Sequence, residues 1–339
     1  MSLFKNYKNC IYCGSSSLKK LKNQFIPMNF YLEAIMSDLK ITENQLKKMK
    51  TYECENCNII QNNPWFSENV SRKIYSNIYG QHNRSWTNLI NFIKKGQLPD
   101  HGNLFSLLNK YLKIKNYAEF NSPFMGIFLN FFSQEYNKNL LFYKNYSENL
   151  IKYLTSRQVA GKLKKYQQLS LKKSKKFLDT INTLKIKNLK KKITNKYLFI
   201  DNSTLSWGQN DNYKSVNSKS FASEFFDLKI LDTKNKHEKI KIDLFGIFHT
   251  LDHTFKPSEI LNLALNISKC VIVYCHVDNN LEKQHLFSFI NNFLKYLKKR
   301  KIYTVDLTNI INKIYKNQEL YFLCSREKKY IENFLHYEK

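Results

Sequence analysis

An α/β fold fronted by a small four-cysteine module is predicted by three features of this chain. Residues 241–248 form a short apolar run bounded by charge, and residues 258–268 place Ile260, Leu261, Ala264 and Leu265 on one helical face. Cys270-Val-Ile-Val-Tyr-Cys275 is a second apolar run, so strand, helix and strand follow one another as a βαβ unit, the crossover that parallel strands require. Ahead of this unit, Cys10-Ile-Tyr-Cys13 and Cys54-Glu-Asn-Cys57 repeat a two-residue spacing forty residues apart.

Two-residue spacing lets both thiolates of a knuckle face one tetrahedral ion, and two knuckles complete a four-cysteine site closed to substrate. Structural zinc (Zn2+) is therefore expected on Cys10, Cys13, Cys54 and Cys57. A redox pair or disulfides are the rivals. A lone redox CxxC needs no duplicate, however, and a cytosolic chain stays reduced. Gly14 follows the first knuckle, where a tight turn calls for positive φ. Cys270, Cys275 and Cys324 lie in apolar runs and are expected to be small core residues.

The chain has 339 residues, 42% of them hydrophobic, enough for roughly two domains with a real core. No apolar run approaches the ~20 residues of a membrane span, and the first residues lack an apolar signal core. A cytoplasmic protein with no membrane partner is expected. The formal net charge of +28 is the footprint of a nucleic-acid or anionic-surface binder. Arginine, however, occurs only at positions 72, 84, 157, 300 and 326, and the other 50 basic residues are lysine. Arginine is favoured for bidentate phosphate and base contacts, so its scarcity argues against a nucleic-acid partner. Lysine, asparagine, isoleucine, tyrosine and phenylalanine share A/T-rich codons, and base composition accounts for much of the excess.

Along the chain, residues 88–115 show helical spacing in Leu89, Ile90, Phe92 and Ile93, and again in Leu104, Leu107, Leu108 and Leu112. Tyr117-Ala-Glu-Phe-Asn-Ser-Pro-Phe-Met-Gly126 follows. Residues 135–192 read as a Lys-rich helical insertion with a solvated basic face. Strands are expected at Lys196–Asp201, Phe225–Asp232 and Leu320–Cys324, with an irregular loop over 202–212. His249, Asp252 and His253 follow the strand at 241–248, and open α/β sheets bind ligands outside the carboxyl ends of their strands. Pro257 and Ser258 suit the start of the crossover helix, where a missing N–H costs nothing.

The order Asp243, Phe248-His-Thr-Leu-Asp-His253, Pro257, helix, strand resembles that of class I S-adenosylmethionine-dependent methyltransferases. The N-terminal residues resemble, more sharply, the zinc-binding module at the front of sugar C-methyltransferases. The shared pattern is Cys-x-x-Cys-Gly, Cys-x-x-Cys, the apolar-apolar-Gln of Ile59-Ile-Gln61, then Tyr75-Ser-Asn-Ile-Tyr79 and Ser85-Trp86. Gln284-His285-Leu-Phe-Ser288 resembles the Glu-His, aromatic, Phe-Ser run of that family, with Gln in place of Glu.

This resemblance implies a zinc-binding module over residues 1–87 and a Rossmann-like class I methyltransferase domain over 88–339, with 135–192 inserted between its first two strands. S-adenosyl-L-methionine would lie against Glu119, Gly126 and His249, with Asp201 on the ribose and Asp232 near adenine. His285 would be the general base, Tyr79 would close over the same site, and His253 would be the second candidate base. The acceptor would be a nucleotide-linked sugar or similar small metabolite. One departure bears on all of this. The family loop reads Glu/Asp-x-Gly-x-Gly-x-Gly so that backbone can approach the cofactor, whereas Asn121, Pro123 and Met125 occupy the glycine positions here. A catalytically silent relative is therefore a rival reading, and a zinc-containing nucleic-acid binder a third.

Overall fold

Among the described residues of the computed structural model, hydrogen-bonded pairing divides the strands among three sheets. The structure describes residues 2–22, 40–67, 70, 99–120, 144, 148, 151–152, 154–156, 158, 161–183, 195–201, 219–223, 242–248, 251–254, 256–276, 287–289, 293–311 and 319–337.

The N-terminal elements are β1 (Phe4–Lys5), β2 (Leu18–Lys20), the short helix α1 (Glu43–Leu46), β3 (Lys50–Cys54), β4 (Ile59–Asn63) and β5 (Trp65–Phe66). Thr42 and Gln45 start α1 as a reciprocal cap: the Thr42 N–H donates to Gln45 Oε1 at 2.8 Å and the Gln45 N–H to Thr42 Oγ1 at 3.3 Å. β3 and β4 form an antiparallel hairpin whose turn is the second cysteine knuckle. β1 pairs with β5, and Phe4 stacks on Phe66 with ring centroids 5.5 Å apart. Asn63 secures the start of the chain, accepting from the Tyr7 N–H at 2.9 Å and donating to the Tyr7 carbonyl at 2.7 Å.

The large sheet is built from β6 (Asn116–Phe120), β7 (Asn195–Asp201), β8 (Lys219–Ser223), β9 (Ile242–Phe248), β10 (Ser268–His276), β12 (Tyr303–Asp306) and β13 (Glu319–Ser325). Its spatial order is β12-β13-β10-β9-β6-β7-β8. The five strands from β8 to β10 are parallel, while β13 runs antiparallel to both β10 and β12. Numbered within the sheet, the order is third, second, first, fourth, fifth, seventh, sixth. The chain thus builds outward from β6 in one direction, then returns to its other side. This reversal places a switch point between β6 and β9.

The expected βαβ unit is present. Pro257 opens helix α4 (Pro257–Ile267), which buries Ile260, Leu261, Ala264 and Leu265 between β9 and β10. Helix α2 (Pro99–Leu112) buries Leu104 and Leu108 and lies on the opposite face of the sheet. There it packs with Tyr117, Leu244, Phe248, Ile272 and the C-terminal Phe334. The first face, carrying Phe120, Phe245, Ile247, Val271 and Val273, forms one continuous core with α4, with α5 (Phe293–Lys299) and with Tyr12, Trp65 and Phe66 of the N-terminal elements. Successive side chains of a strand alternate between faces, so neighbouring residues of β6 and β9 serve different cores. Helix α3 (Gly161–Thr183) buries Ser174 and Phe177 and exposes Lys164, Lys165, Lys172, Lys175 and Lys176. Cys270, Cys275 and Cys324 are fully buried, as expected.

Two strands of the structure have no counterpart among the sequence expectations. Among the described residues the third strand of the sheet is Lys219–Ser223; the strand expected at 225–232 lies outside the described residues. An edge strand pairs on one side only and needs no continuous apolar run, so Lys-Ser-Phe-Ala-Ser gave little signal. Residues Phe287–Phe289, ahead of helix α5, form a strand, β11, that joins β4 in a four-stranded sheet ordered β11-β4-β3-β2.

Asp243 ties the amino ends of three central strands together. Its Oδ2 accepts from the N–H groups of Lys115 and Asn116 at the start of β6, both at 2.9 Å, and its Oδ1 lies 2.6 Å from Lys269 Nζ on β10. Burial alone would raise the carboxyl pKa, but the Lys269 ammonium and the two amides outweigh it and hold the group below its ordinary value of 3.8. The folded chain therefore binds the ionised form more tightly than the unfolded chain does. The resulting stabilisation is complete above the ordinary value and disappears as pH falls through the lower folded pKa. In urea unfolding at neutral pH, Asp243→Asn is expected to lose about 1–3 kcal/mol, with the gap to wild type closing in strong acid. An equal gap at both pH values would show that the loss is not electrostatic.

Candidate functional site

Both cysteine knuckles are built by the same backbone device. The Gly14 N–H donates to the Cys10 carbonyl at 2.9 Å, and the Asn58 N–H donates to the Cys54 carbonyl at 2.8 Å. Each knuckle then turns on a left-handed residue, Gly14 at φ 73° and Asn58 at φ 58°. Glycine adopts that conformation freely and asparagine tolerates it better than most residues. The two turns converge, bringing all four sulfurs within 4.8 Å of one another. The Cys10–Cys57 and Cys13–Cys54 Sγ pairs are each 3.5 Å apart.

A tetrahedral ion with metal–sulfur bonds of about 2.3 Å would set its sulfurs about 3.8 Å apart, and here two pairs are 3.5 Å apart with none beyond 4.8 Å. The donor chemistry agrees. A hydrogen bond from the Cys57 thiol lowers Cys10 to about 6, while Cys57 rises through the same bond and burial, and burial pushes Cys54 up to about 11. These shifts leave Cys10 the readiest thiolate beside neutral Cys54 and Cys57, and ionising all four sulfurs in this space would require a compensating cation. Asn56 Nδ2 also lies 3.4 Å from Cys13 Sγ, a second donor aimed at a ligand sulfur. These four cysteines can hold one metal ion, with every coordination position supplied by protein.

The metal cluster is joined to the large sheet. Tyr12, between the first two cysteines, meets Phe293 of α5 edge-on at 4.8 Å between centroids. Gln61, fully buried on β4, accepts the Ile11 N–H at 2.9 Å through Oε1, and its backbone stands opposite Phe287 of β11. The Gln of the apolar-apolar-Gln motif therefore connects knuckle, hairpin and C-terminal strand.

The second region of interest is the carboxyl edge of the sheet at the switch point. Glu119 near the end of β6 is fully buried, its Oε2 accepting from the Tyr117 hydroxyl at 3.0 Å. Burial, the Glu119 charge and that hydrogen bond together push the Tyr117 phenol well above its ordinary range, so it stays a protonated donor. Opposite Glu119 stands Gly246 of β9, where a Cβ would meet Tyr117 Oη at 2.6 Å and also the Phe248 ring. Gly246 is thus the clearance that lets the phenol lie between the strands. The sequence signal for this arrangement was a lone glycine inside an apolar strand, which marks close approach.

Asp201 is the last residue of β7, beside β6 on the same edge, and His253 ends the 3₁₀ turn Leu251–His253 after β9. That turn packs against α4, β10 and β11, and Asp252 within it is fully buried. The topology therefore brings Glu119, Asp201 and the 251–253 turn to one edge. Tyr79, Gly126, Asp232, His249 and His285 lie outside the described residues.

No protein-family model matches the chain, and no curated protein matches its sequence. Among solved structures, the plantazolicin methyltransferase BpumL in complex with SAH is similar over 76% of this chain and 96% of that chain, at 9% identity and a TM-score of 0.36. The same enzyme bound to a monoazolic desmethylPZN analog and SAH is similar over 71% and 98%, at 9% identity and a TM-score of 0.29. Both TM-scores are low, and neither likeness carries an assignment. Among the described residues, no helix is long and apolar enough to cross a membrane.

Metal analysis is expected to return one ion per chain, lost in Cys54→Ser together with protection of the N-terminal hairpin; a metal-free wild type would remove this centre. Gly246→Ala is expected to cost about 1–3 kcal/mol by overpacking, with Tyr117→Phe in the same chain recovering part of the loss. Thermal unfolding of the single and double variants measures both, and a neutral Gly246→Ala would mean that the phenol is not confined there.

Proposed function

We propose that this chain is an S-adenosylmethionine-dependent methyltransferase with a structural zinc ion on Cys10, Cys13, Cys54 and Cys57. The observation that carries this reading is the sheet order, with a reversed seventh strand between fifth and sixth and an acid at the carboxyl end of the first. The class I methyltransferase fold, which the motifs around Asp243–Pro257 resemble, is expected to have this layout. The carboxyl-edge acids suit the cofactor. Asp201 is proposed to accept from both ribose hydroxyls, and Glu119, held by Tyr117, to lie beside the methionine part. Asp232 and His249 are proposed to complete that site. A zinc ion with four protein ligands keeps no open position, so its role is structural, not catalytic.

The finer proposal is C-methylation of a nucleotide-linked sugar. It rests on the module motif from Cys10 to Trp86 and on Gln284–Ser288. When bound, the cofactor supplies an electrophilic methyl group. The chain must then remove a proton from the carbon beside the sugar ketone and steady the oxygen that gains charge. His285 is proposed as the base, Tyr79 as the group closing over the acceptor, and His253 as the alternative base. Imidazole suits this task because its unperturbed pKa of about 6.5 is close to working pH. Replacement of the family glutamate by Gln284 removes one means of raising that basicity.

Substitution of the loop glycines by Asn121, Pro123 and Met125 favours a second reading, a methyltransferase-fold binding protein without turnover. Titration calorimetry with S-adenosylhomocysteine separates the two. Wild type is expected to bind, and Asp201→Ala to bind at least about tenfold more weakly, since charge-assisted hydrogen bonds contribute about 1.5–3 kcal/mol each. No binding by wild type would favour the silent protein. In a methyl-transfer assay on nucleotide-linked ketosugars, His285→Ala is expected to lose about 10²- to 10⁴-fold in rate with cofactor affinity unchanged. Full turnover in His285→Ala with none in His253→Ala would move the base to the turn after β9.

A further inference from the structure

We infer that metal occupancy at the four cysteines controls the attachment of strand β11 to the N-terminal sheet, with Gln61 as the positioning residue between them. Metal binding by the cysteines is required for this, but methyl transfer is not.

The second knuckle is the turn of the β3–β4 hairpin: β3 ends at Cys54, and β4 begins at Ile59, two residues beyond Cys57. β11 pairs with the first three residues of β4, in the register Phe289↔Ile59, Ser288↔Ile60 and Phe287↔Gln61. A bound ion that fixes Cys54 and Cys57 thus fixes the hairpin end on which β11 is laid. The first knuckle acts on the same residues from the other side, because the Ile11 N–H, next to Cys10, donates to the buried Gln61 side chain at 2.9 Å. Gln61 therefore senses one knuckle with its amide oxygen and holds β11 with its backbone.

What β11 offers in return is small. It is three residues long and lies at the edge of the four-stranded sheet, and an isolated strand of that length has little pairing energy of its own. Its further contacts are with β10 and with the 251–253 turn at the carboxyl edge of the large sheet. β11 thus touches both the metal hairpin and the candidate site edge. β9 and β10 are held differently, by long parallel pairing with each other and by α4. Loss of the metal should therefore loosen β11 while leaving β9 and β10 folded.

The test is amide hydrogen exchange of the full chain with its metal, after chelation, and as the metal-bound Gln61→Met variant. Methionine keeps the bulk of the side chain and removes the acceptor. Cobalt substitution, read by its thiolate charge-transfer absorption, reports separately whether four cysteines bind metal. Chelation is expected to abolish protection over 287–289 and the β3–β4 hairpin, with β9 and β10 unchanged. In Gln61→Met, with cobalt absorption retained, exchange over 287–289 is expected to accelerate about ten- to a hundredfold, the consequence of the half-buried Ile11 N–H losing its acceptor. Unchanged protection over 287–289 in either sample would overturn the inference, as would equal loss across β9 and β10, which would make the metal a support for the whole fold. A chain that takes up no cobalt would remove the metal centre itself, and this inference with it.

Discussion

The parallel pairing of β6 with both β7 and β9 is the constraint on which the large sheet depends. A central parallel strand is buried on both faces, and its ends must satisfy their polar groups without water. At the amino end, Asp243 meets the exposed amides of Lys115 and Asn116 and carries its charge against Lys269. At the other end, Tyr117 donates to Glu119 in the space left by Gly246. One strand is thus held by a carboxylate at each end. The first carboxylate is structural, and the second lies at the switch point where ligands of such sheets bind.

The N-terminal elements solve a different problem. Two- to five-residue strands have too little apolar area to stand alone, and small folds of this kind need a staple. Four converging thiols supply a metal-shaped staple, and the aromatic side chains of Tyr12, Trp65 and Phe66 extend the core of the large sheet instead of forming one of their own. The hairpin turn that carries Cys54 and Cys57 consequently also templates β11, a strand from more than two hundred residues later in the chain. Metal chemistry and sheet architecture meet at that hairpin.

Part of the basic surplus lies along one helix. Lys164, Lys165, Lys172, Lys175 and Lys176 of α3 lie on its exposed side, where Phe177 and Ser174 face inward. This solvated face holds five of the 55 basic residues of the chain.

Several features followed from the sequence by itself because they depend on local chemistry. The two CxxC pairs, the left-handed turn at Gly14, the buried face Ile260–Leu265 of α4, Pro257 at its start and the apolar strands of β9, β10 and β13 are all set by spacing and by the physics of one segment. What the tertiary structure decided involves partners distant in the chain. Asp243 reads as a strand-start acid until Lys269 and the amides before β6 arrive around it. Gly246 is an ordinary strand glycine until Tyr117 lies over it, and Lys-Ser-Phe-Ala-Ser becomes a strand only because β7 offers it an edge. Phe287–Phe289 becomes a strand for the same reason, since backbone pairing is blind to side-chain pattern and a three-residue segment takes the conformation its partner imposes.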